Sequence, residues 1–270
     1  MNLKSKTIIV TGGGNGLGRE LVLNLLGRGY HVIAVDINET ALDETRNLVN
    51  SNIGQLHTAV LDITNRENVE KFAEQSIAVH GRIDGLINNA GIIQPFVRIA
   101  DLEYGIVDKV FDVDFFGTLY MTKALLKHLQ ELPEAYLVNV SSMGGLFPVP
   151  GQGIYGAAKS AVKLFTESLQ AELVDSNVHV TLVFPGGIET NIKFNSGAEK
   201  HNMNNREIEK AVIKPLKPSR AAQLIVDAME NKRSKILIGN DIKMLNLIHK
   251  LSSSLAGKLI QNQMKLHLKK

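Results

Sequence analysis

Short runs of β-branched and other apolar residues alternate with amphipathic stretches along most of this chain. The runs are KTIIVTG, HVIAVD, LHTAVLD and GLINNAG, followed after a gap by YLVNVSS, VHVTLVFPG and KILIG. Continuous apolar strands that are separated by helices are typical of a parallel sheet covered on both faces. The sequence therefore predicts a doubly wound α/β domain built on a seven-stranded parallel sheet.

The length of the chain fits one such domain. Its 270 residues, 44% of them hydrophobic, are enough to bury a full core. No change of composition interrupts the pattern before the polar stretch NSGAEKHNMNNREIEK. We therefore predict a single domain over residues 1–241, with a lid or substrate loop at about 190–214, followed by a tail over 242–270.

The absence of cysteine narrows the chemistry. Disulfides, thiol catalysis and cysteine-ligated metals are excluded, and no metal site is predicted. The first strand begins within a few residues of Met1, and no apolar run approaches the roughly 20 residues that a membrane-spanning helix needs. The expected location is the cytoplasm.

A glycine-rich turn, TGGGNGLGRE, separates the first strand from the first helix. Gly12, Gly16 and Gly18 permit a tight turn and close approach of a diphosphate, to which the helix N-terminus offers donors and positive dipole. Asp36, at the end of the second strand, can accept hydrogen bonds from the adenosine ribose and would repel a 2′-phosphate. No Lys or Arg lies between Gly12 and Gly18, so the turn predicts a site for NAD rather than NADP.

Other residues of the predicted nucleotide site follow the turn and the next strands. Asn15 and Leu17 lie in the turn itself. Asp62 can contact the adenine amine, with Ile63 against the ring; alternatively, Asp62 caps the helix that begins near NRENVEK. The fourth strand ends in NNAG, where the small or polar residues Asn89, Ala90 and Gly91 leave room for the cofactor backbone.

Tyr155 and Lys159 are four residues apart in IYGAAK, at the start of a predicted helix. That spacing places both side chains on one helix face. An adjacent ammonium favours the phenolate and lowers the pKa of tyrosine from its ordinary value of about 10 toward the range of acid–base catalysis. The alternative for such a pair is a solvated helix face.

Taken in order, these motifs resemble the short-chain dehydrogenase/reductase family over roughly residues 4–190. The family's Thr-Gly-x-x-x-Gly-x-Gly matches Thr11 to Gly18, its Asn-Asn-Ala-Gly matches Asn88 to Gly91, and its Tyr-x-x-x-Lys matches Tyr155 and Lys159. The family's serine, thirteen residues before the tyrosine, is Ser142. The resemblance implies a three-layer Rossmann fold and an oxidoreductase that transfers a hydride between a nicotinamide and an alcohol, ketone or aldehyde.

The resemblance also implies a role for each residue. Tyr155 would exchange a proton with the substrate oxygen, Lys159 would lower the pKa of the tyrosine and hold the nicotinamide ribose, and Ser142 would hydrogen-bond the substrate oxygen. The Pro-Gly turn FPGGIET would hold the nicotinamide end of the cofactor through Pro185, Gly186, Ile188 and Thr190. A homodimer or homotetramer is expected, with helices around 104–130 and 155–174 at its interface.

One position departs from the family pattern. Where the family usually has an asparagine that interrupts a helix and positions a water on the path from the lysine to solvent, this chain has Asp114 in FDVDFFG. A carboxylate cannot donate a hydrogen bond unless protonated, and its charge would oppose the effect of Lys159 on Tyr155. We expect a buried, partly protonated Asp114. The alternatives are a weaker, more pH-dependent enzyme or a non-catalytic NAD-binding scaffold; an NADP-dependent reductase is a further option that Asp36 disfavours.

The loops expected beside the substrate are largely apolar and contain no arginine between Ser142 and Tyr155. This favours a hydrophobic alcohol or ketone, although some of these residues could instead belong to the core. The predicted lining residues are Ile93, Gln94, Phe96, Gly144, Leu146, Phe147 and Gln152.

The tail is basic and amphipathic. Residues 242–270 hold six lysines and no acid, so the first 241 residues carry a net charge of −3 within a total of +3. Met244, Ile248, Leu251, Leu255 and Leu259 fall at helical spacing. Such a helix can lie on an anionic membrane surface, or pack on the domain or a partner subunit. Nucleic acid is not expected as a partner, because the tail lacks arginine and aromatic residues.

Overall fold

The computed structural model describes residues 6–49, 55–189, 192, 196, 215–252, 254, 257, 260 and 261. The predicted lid at about 190–214 lies almost entirely outside these residues, as does the end of the tail. Within them, seven parallel strands form one sheet, as the sequence predicts. The strands are β1 (Thr7–Thr11), β2 (His31–Asp36), β3 (Leu56–Val60), β4 (Gly85–Asn88), β5 (Ala135–Val140), β6 (Val178–Pro185) and β7 (Lys235–Ile238).

The strands lie side by side in the order β3-β2-β1-β4-β5-β6-β7. Strand β1 pairs with β2 on one side and with β4 on the other, so the direction of winding reverses between β1 and β4. In sheets of this kind, the carboxyl ends of the strands at the reversal form a crevice that binds ligands.

Helices cover both faces of the sheet. They are α1 (Gly16–Gly27), α2 (Glu39–Asn47), α3 (Arg66–His80), α4 (Tyr104–Phe111), α5 (Thr118–Glu131), α6 (Gly153–Glu172), α7 (Pro218–Glu230) and α8 (Asn240–Leu251). Each of α1, α2 and α3 begins at an asparagine whose side chain accepts a backbone N–H of the first turn, at Asn15, Asn38 and Asn65. These caps fix the residue at which the chain leaves the preceding loop and becomes helical.

Two apolar clusters join the three layers. On one face, α1 and α7 pack against alternate residues of the strands, such as Val10. On the other face, α3, α5 and α6 pack against the intervening residues, such as Ile9. All residues of β1, β4 and β5 are buried. None of the helices in the described ranges is long and apolar enough to cross a bilayer.

The long helix predicted around 104–130 is divided. Between α4 and α5 lies a π-helical turn, Asp112–Gly117, that contains the buried Asp114. A π turn adds a residue within an otherwise α-helical segment and often occurs at functional sites. The resemblance to the family implies an interruption at this place.

The first part of the tail packs on the domain. Ile242 and Leu245 of α8 are buried in a third apolar cluster with Leu182 and Phe184 of β6. The helix ends at Leu251, and the next residue, Ser252, is extended. Packing on the domain, one of the three alternatives for the tail, therefore holds for the inner face of α8.

Candidate active site

A cavity of about 680 Å³ opens at the carboxyl ends of the central strands, where the winding reverses. Its walls come from the β1–α1 turn, the ends of β2 to β6, and α6. Predicted nucleotide-site residues that line it are Gly12, Asn15, Gly16, Leu17, Gly18, Asp36, Asp62, Ile63, Asn89, Ala90, Gly91, Tyr155, Lys159, Pro185, Gly186 and Ile188. Thr190 lies outside the described residues.

The glycine turn has no room for side chains. Gly12 has a φ of 69° and Gly16 a φ of 52°, both in the left-handed region. A Cβ on Gly18 would overlap the carbonyl oxygen of Gly12. The turn therefore brings the N-terminus of α1 to the cavity wall, where its first amides can bind a diphosphate.

The Asp36 carboxylate is fixed at one end of the cavity. Its two oxygens accept backbone N–H groups from Gly14 and Asn38, each at 3.0 Å. Arg19, on α1 next to the glycine turn, donates to the Gly14 carbonyl at 2.6 Å and pairs with Glu44 at 2.6 Å. A negative charge thus lines this end of the cavity, while the guanidinium next to the turn is bound to α2.

Asp62 does not cap α3. Its carboxylate accepts from the backbone N–H and hydroxyl of Thr64, and Asn65 is the cap instead. The interpretation of Asp62 as the helix cap is therefore wrong, because the cap is Asn65, three residues later. Asp62 and Ile63 both line the cavity.

The NNAG segment is attached to the end of β1. The Thr11 hydroxyl accepts the N–H groups of Asn89 and Ala90, and the Asn89 side chain donates to the Thr11 carbonyl at 3.0 Å. The Asn88 side chain does not join this contact; it donates to Thr122 of α5 and to Asn139 of β5. A Cβ on Gly91 would lie 2.5 Å from Asp114 and 3.0 Å from the Lys159 ammonium.

Ser142, Tyr155 and Lys159 meet at the opposite end of the cavity from Asp36. The Ser142 hydroxyl accepts the Gly144 N–H at 3.1 Å and acts on the Tyr155 phenol in the direction that lowers its pKa. The Lys159 Nζ atom lies 6.0 Å from the centroid of the Tyr155 ring. Lys159 is 4% exposed, and its ammonium donates to the Val140 carbonyl at 3.3 Å. The predicted helix pair therefore faces the cavity and is not a solvated face.

Asp114 stands directly behind Lys159. Its Oδ1 lies 3.2 Å from the Lys159 ammonium and accepts the Ile92 N–H at 3.1 Å. Its Oδ2 is buried and has no hydrogen-bond partner among the described residues. Burial raises the pKa of Asp114 to about 6, against the opposing effects of Lys159 and the Ile92 amide. The partly protonated carboxyl expected from the sequence is consistent with this environment.

The three titrating groups act on one another. Burial lowers the pKa of the Lys159 ammonium, but Asp114 and Tyr155 more than offset this and the pKa lies above its ordinary value. Burial raises the pKa of the Tyr155 phenol; Lys159 lowers it, Asp114 raises it, and the pKa stays above its ordinary value. Lys159 thus acts in the predicted direction, but here it does not outweigh burial.

Most residues predicted to line a substrate pocket do not line this cavity. Ile93 does, and Gly144 lies against the Tyr155 ring, with its Cβ position 3.5 Å away. Leu146 and Phe147 join the third apolar cluster, where Phe147 packs edge-on against His249 of α8. Phe96 is half-buried and does not belong to the cavity lining.

Gln94 and Gln152 are almost fully buried, at 1% and 3% exposure. The Gln94 side chain accepts from the backbone of α6, and the Gln152 side chain donates to the Gln94 carbonyl. These amides therefore bind protein groups, where the sequence had predicted contact with substrate.

Several cavity residues were not predicted from the sequence. One is Lys109, an exposed cation on α4. Strand ends are the signal that would have found many of the others, because residues at the carboxyl ends of β2, β3 and β5 must face the same crevice. The unpredicted lining residues are Val35, Ile37, Asn38, Ala41, Leu61, Ile92, Lys109, Val113, Val140, Ser141 and Ile192.

Known proteins share both the motifs and the fold. A family model described as short chain dehydrogenase matches residues 6–201. SadH of Mycobacterium tuberculosis is 31% identical over 265 residues, which cover 96% of this chain and 95% of SadH. The 3-oxoacyl-(acyl-carrier-protein) reductase FabG of Thermotoga maritima is 33% identical over 192 residues, 70% of this chain and 77% of FabG.

Among solved structures, a short-chain dehydrogenase/reductase from Burkholderia phymatum in complex with NAD has the same fold. It superposes with a TM-score of 0.80 at 22% identity and covers 100% of this chain and 97% of its own. A likeness at this identity concerns the fold alone.

Proposed function

Since this chain belongs to the short-chain dehydrogenase family, we propose that it is an NAD(H)-dependent oxidoreductase for a hydrophobic secondary alcohol, ketone or aldehyde. Membership makes it an oxidoreductase with a fold that binds a nicotinamide dinucleotide. The choice of NAD, the substrate class and the residue roles below are the proposal.

The observation that carries the proposal is the placement of two groups at opposite ends of one cavity. Gly12, Gly18 and Asp36 line the cavity at the ends of β1 and β2, and Ser142 and Tyr155 line it beyond the end of β5, on the far side of β4. A dinucleotide bound with its adenosine near Asp36 and its diphosphate at the N-terminus of α1 would direct its nicotinamide toward Tyr155. The residues present therefore fit the cofactor that the family implies.

When bound, the nicotinamide would supply the site for hydride transfer. Tyr155 exchanges a proton with the substrate oxygen, and Ser142 hydrogen-bonds that oxygen and stabilises the charge that develops on it. Lys159 keeps a positive charge beside the phenol and opposes the effect of burial on its pKa. Asp114, which is not part of the cavity lining, holds the Lys159 ammonium.

Asp36 supports the preference for NAD. Its carboxylate is held by two backbone amides, so a 2′-phosphate placed there would meet a fixed negative charge. Ile37, the next residue, cannot supply a compensating cation, and Arg19 is paired with Glu44.

The cavity wall near Tyr155 supports an apolar substrate. Ile93, Val140, Ile188 and Ile192 line the cavity, and its lining among the described residues contains two lysines, Lys109 and Lys159, but no arginine. A substrate carboxylate or phosphate would therefore lack a bidentate partner.

Two kinds of partner follow from the same proposal. Large apolar side chains are exposed on the helices that we expect at a subunit interface, among them Tyr104 and Leu164.

The outer face of α8 exposes Met244, Leu247 and Leu251, beside Lys243 and Lys250, in a segment without acids after Asp241. We assign this outer face to an anionic lipid surface, because its charge and apolar stripe are complementary to one.

The test is oxidation of NADH, with NADPH in parallel, over a panel of apolar ketones and aldehydes, using wild type and Tyr155→Phe. We expect turnover with a higher kcat/KM for NADH than for NADPH. Loss of the phenol should lower kcat at least 100-fold, in line with general acid–base catalysis, and should leave NADH binding intact.

The control is thermal stabilisation by NADH, which binding alone produces. A wild type that is stabilised by NADH but reduces no carbonyl compound would favour the NAD-binding scaffold. Equal activity of Tyr155→Phe would remove the proposed mechanism, and preference for NADPH would overturn the assignment to Asp36.

A further inference from the structure

Helix α6, which carries Tyr155, begins without a cap of its own. Its N-cap residue is Gln152, whose side chain makes no capping hydrogen bond. The first amides of any helix lack partners within the helix. Those of Ile154 and Tyr155 therefore need an acceptor from elsewhere in the chain.

Gln94 is that acceptor. Its side-chain Oε1 accepts the backbone N–H groups of Ile154 at 2.8 Å and of Tyr155 at 3.0 Å. These are the second and third residues of α6, the two that an N-cap side chain normally satisfies. The cap thus comes from the loop between β4 and α4, about 60 residues earlier in the chain.

The capping loop is itself fixed. The Gln152 side chain donates to the Gln94 carbonyl at 2.7 Å, so Gln94 and Gln152 close a ring of hydrogen bonds around the start of α6. Next to Gln94, Ile93 lines the cavity. The cap therefore connects a cavity wall to the backbone of Tyr155.

From this geometry we propose that Gln94 is a positioning residue for Tyr155, with Gln152 as its support. The proposal rests on the proposed function, because the orientation of Tyr155 matters for catalysis only if Tyr155 exchanges a proton with the substrate. A neutral amide suits this place. A carboxylate would cap the same amides and would be favoured by the helix dipole, but it would also add a negative charge beside the backbone of Tyr155, whose phenol must ionise.

Three variants separate positioning from general stability. Gln94→Leu removes the acceptor. Gln94→Glu keeps the acceptor and adds a charge. Gln170→Leu is the matched control, because Gln170 also joins α6 to other backbone, donating to Val180 at 3.1 Å and to Ser234 at 2.6 Å, but at the far end of the helix.

The first readout does not depend on turnover. With 3-fluorotyrosine incorporated at the five tyrosines, the Tyr155 resonance is identified as the one that Tyr155→Phe removes. We expect Gln94→Leu to shift and broaden it, and to speed hydrogen exchange of the Ile154 and Tyr155 amides. In Gln94→Glu the resonance stays sharp but titrates at higher pH. Gln170→Leu should leave the resonance unchanged.

The second readout is kinetic. Misplacement of a catalytic group by about 1 Å can cost on the order of 100-fold, so we expect kcat of Gln94→Leu to fall roughly 10- to 100-fold. The KM for NADH should change less than about twofold, since Gln94 does not line the nucleotide end of the cavity. In Gln94→Glu, the pH–rate profile should move to higher pH.

An unchanged Tyr155 resonance in Gln94→Leu, or an equal change in Gln170→Leu, would overturn the proposal. Should Gln94→Leu fail to fold, Gln94→Asn takes its place, because the shorter side chain stays polar but cannot reach both amides. If the resonance moves as expected while wild type turns over no substrate, the positioning role stands and the proposed function fails.

Discussion

Asp114 is a buried acid of the site, in contact with the Lys159 ammonium. It is a carboxylate at 0% exposure, with one oxygen on the Lys159 ammonium and the other without a partner in the described part of the chain. An ionised Asp114 raises the pKa of Tyr155, whereas a protonated Asp114 is a neutral group close in shape to asparagine. Its proton therefore influences how readily Tyr155 ionises.

The first prediction concerns Asp114→Asn. Because the pKa of Asp114 is about 6, the carboxyl is mostly charged above that pH and opposes ionisation of Tyr155. Its removal should move the tyrosine-dependent limb of the pH–rate profile to lower pH. An inflection near pH 6 is expected in the wild-type profile, and the variant should lack it. Rates of alcohol oxidation measured from acid to alkaline pH check both points; superimposable profiles would contradict the expectation.

The residues of the site that the sequence predicted are those with a local pattern. Tyr155 and Lys159 share a helix face by spacing, and Gly12 and Gly18 belong to one turn. Gln94 shows why other contacts of the site could not be predicted. Its side chain meets α6 only after the sheet is assembled, and the local sequence around α6 does not indicate a cap that comes from another loop. The wrong cap for α3 arose because Asp62 and Asn65 both have the side chain for the task.

At the scale of elements, the β1–α1 turn decides whether a nucleotide can bind. The turn depends on contact between Gly18 and the carbonyl of Gly12, which any side chain on Gly18 would block. The same helix contains Gly27, near its end, where a Cβ would meet nothing within 4 Å. The two glycines make a matched pair.

The second prediction is therefore that Gly18→Ala and Gly27→Ala behave oppositely. With NADH at 100 times its Kd, wild type should gain about 2.7 kcal/mol of stability. Gly18→Ala should lose most of that gain, while Gly27→Ala, at the last residue of α1, should keep it and add at most about 0.5 kcal/mol from better helix propensity. Thermal unfolding with and without NADH measures both, and a full NADH response in Gly18→Ala would refute this account of the turn.

At the scale of the whole molecule, an ion cluster ties the amino ends of the sheet together. Glu134, just before β5, pairs with Lys6 at the start of β1 and with Lys232 between α7 and β7 at 2.7 Å. Hydrogen bonds from Lys232 and Lys6 lower the pKa of Glu134 to about 2, against the effect of burial. Three distant parts of the chain thus meet on one carboxylate.

The third prediction is a pH-dependent loss of stability in Glu134→Gln. Because the pKa is lowered in the folded state, the stabilisation is complete above the ordinary value of 4.5 and is lost as the pH falls toward 2. At neutral pH the variant should unfold with about 1.5–3 kcal/mol less free energy, and the difference should vanish near pH 2. The exposed Glu131→Gln is the control; a pH-independent difference would contradict the assignment.

The outer face of α8 gives the fourth prediction. Deleting the tail would also remove the buried Ile242 and Leu245, so surface substitutions are the better test. Each lysine near an anionic membrane contributes about 1 kcal/mol. Lys243→Gln with Lys250→Gln should therefore weaken binding to phosphatidylserine liposomes roughly 30-fold at low salt.

High salt should weaken binding of wild type to the same liposomes. The control is Lys71→Gln with Lys127→Gln, which removes the same charge from α3 and α5. Equal weakening by the control pair would show that total charge matters rather than α8. Absence of binding by wild type would exclude the lipid surface and leave a partner subunit as the occupant.

The pairing of β1 with β4 has a consequence for how the chain is made. On the ribosome, β1, β2 and β3 emerge before β4, and residues 12–84 separate β1 from its inner neighbour. At roughly 5–20 residues per second, that stretch takes about 4–15 s to synthesise. Until then the apolar Ile8, Ile9 and Val10 present an unpaired strand edge, which is a template for aggregation. During synthesis, β1 therefore has an unpaired edge until β4 is made, and we expect chaperones that bind nascent chains to protect this strand from aggregation.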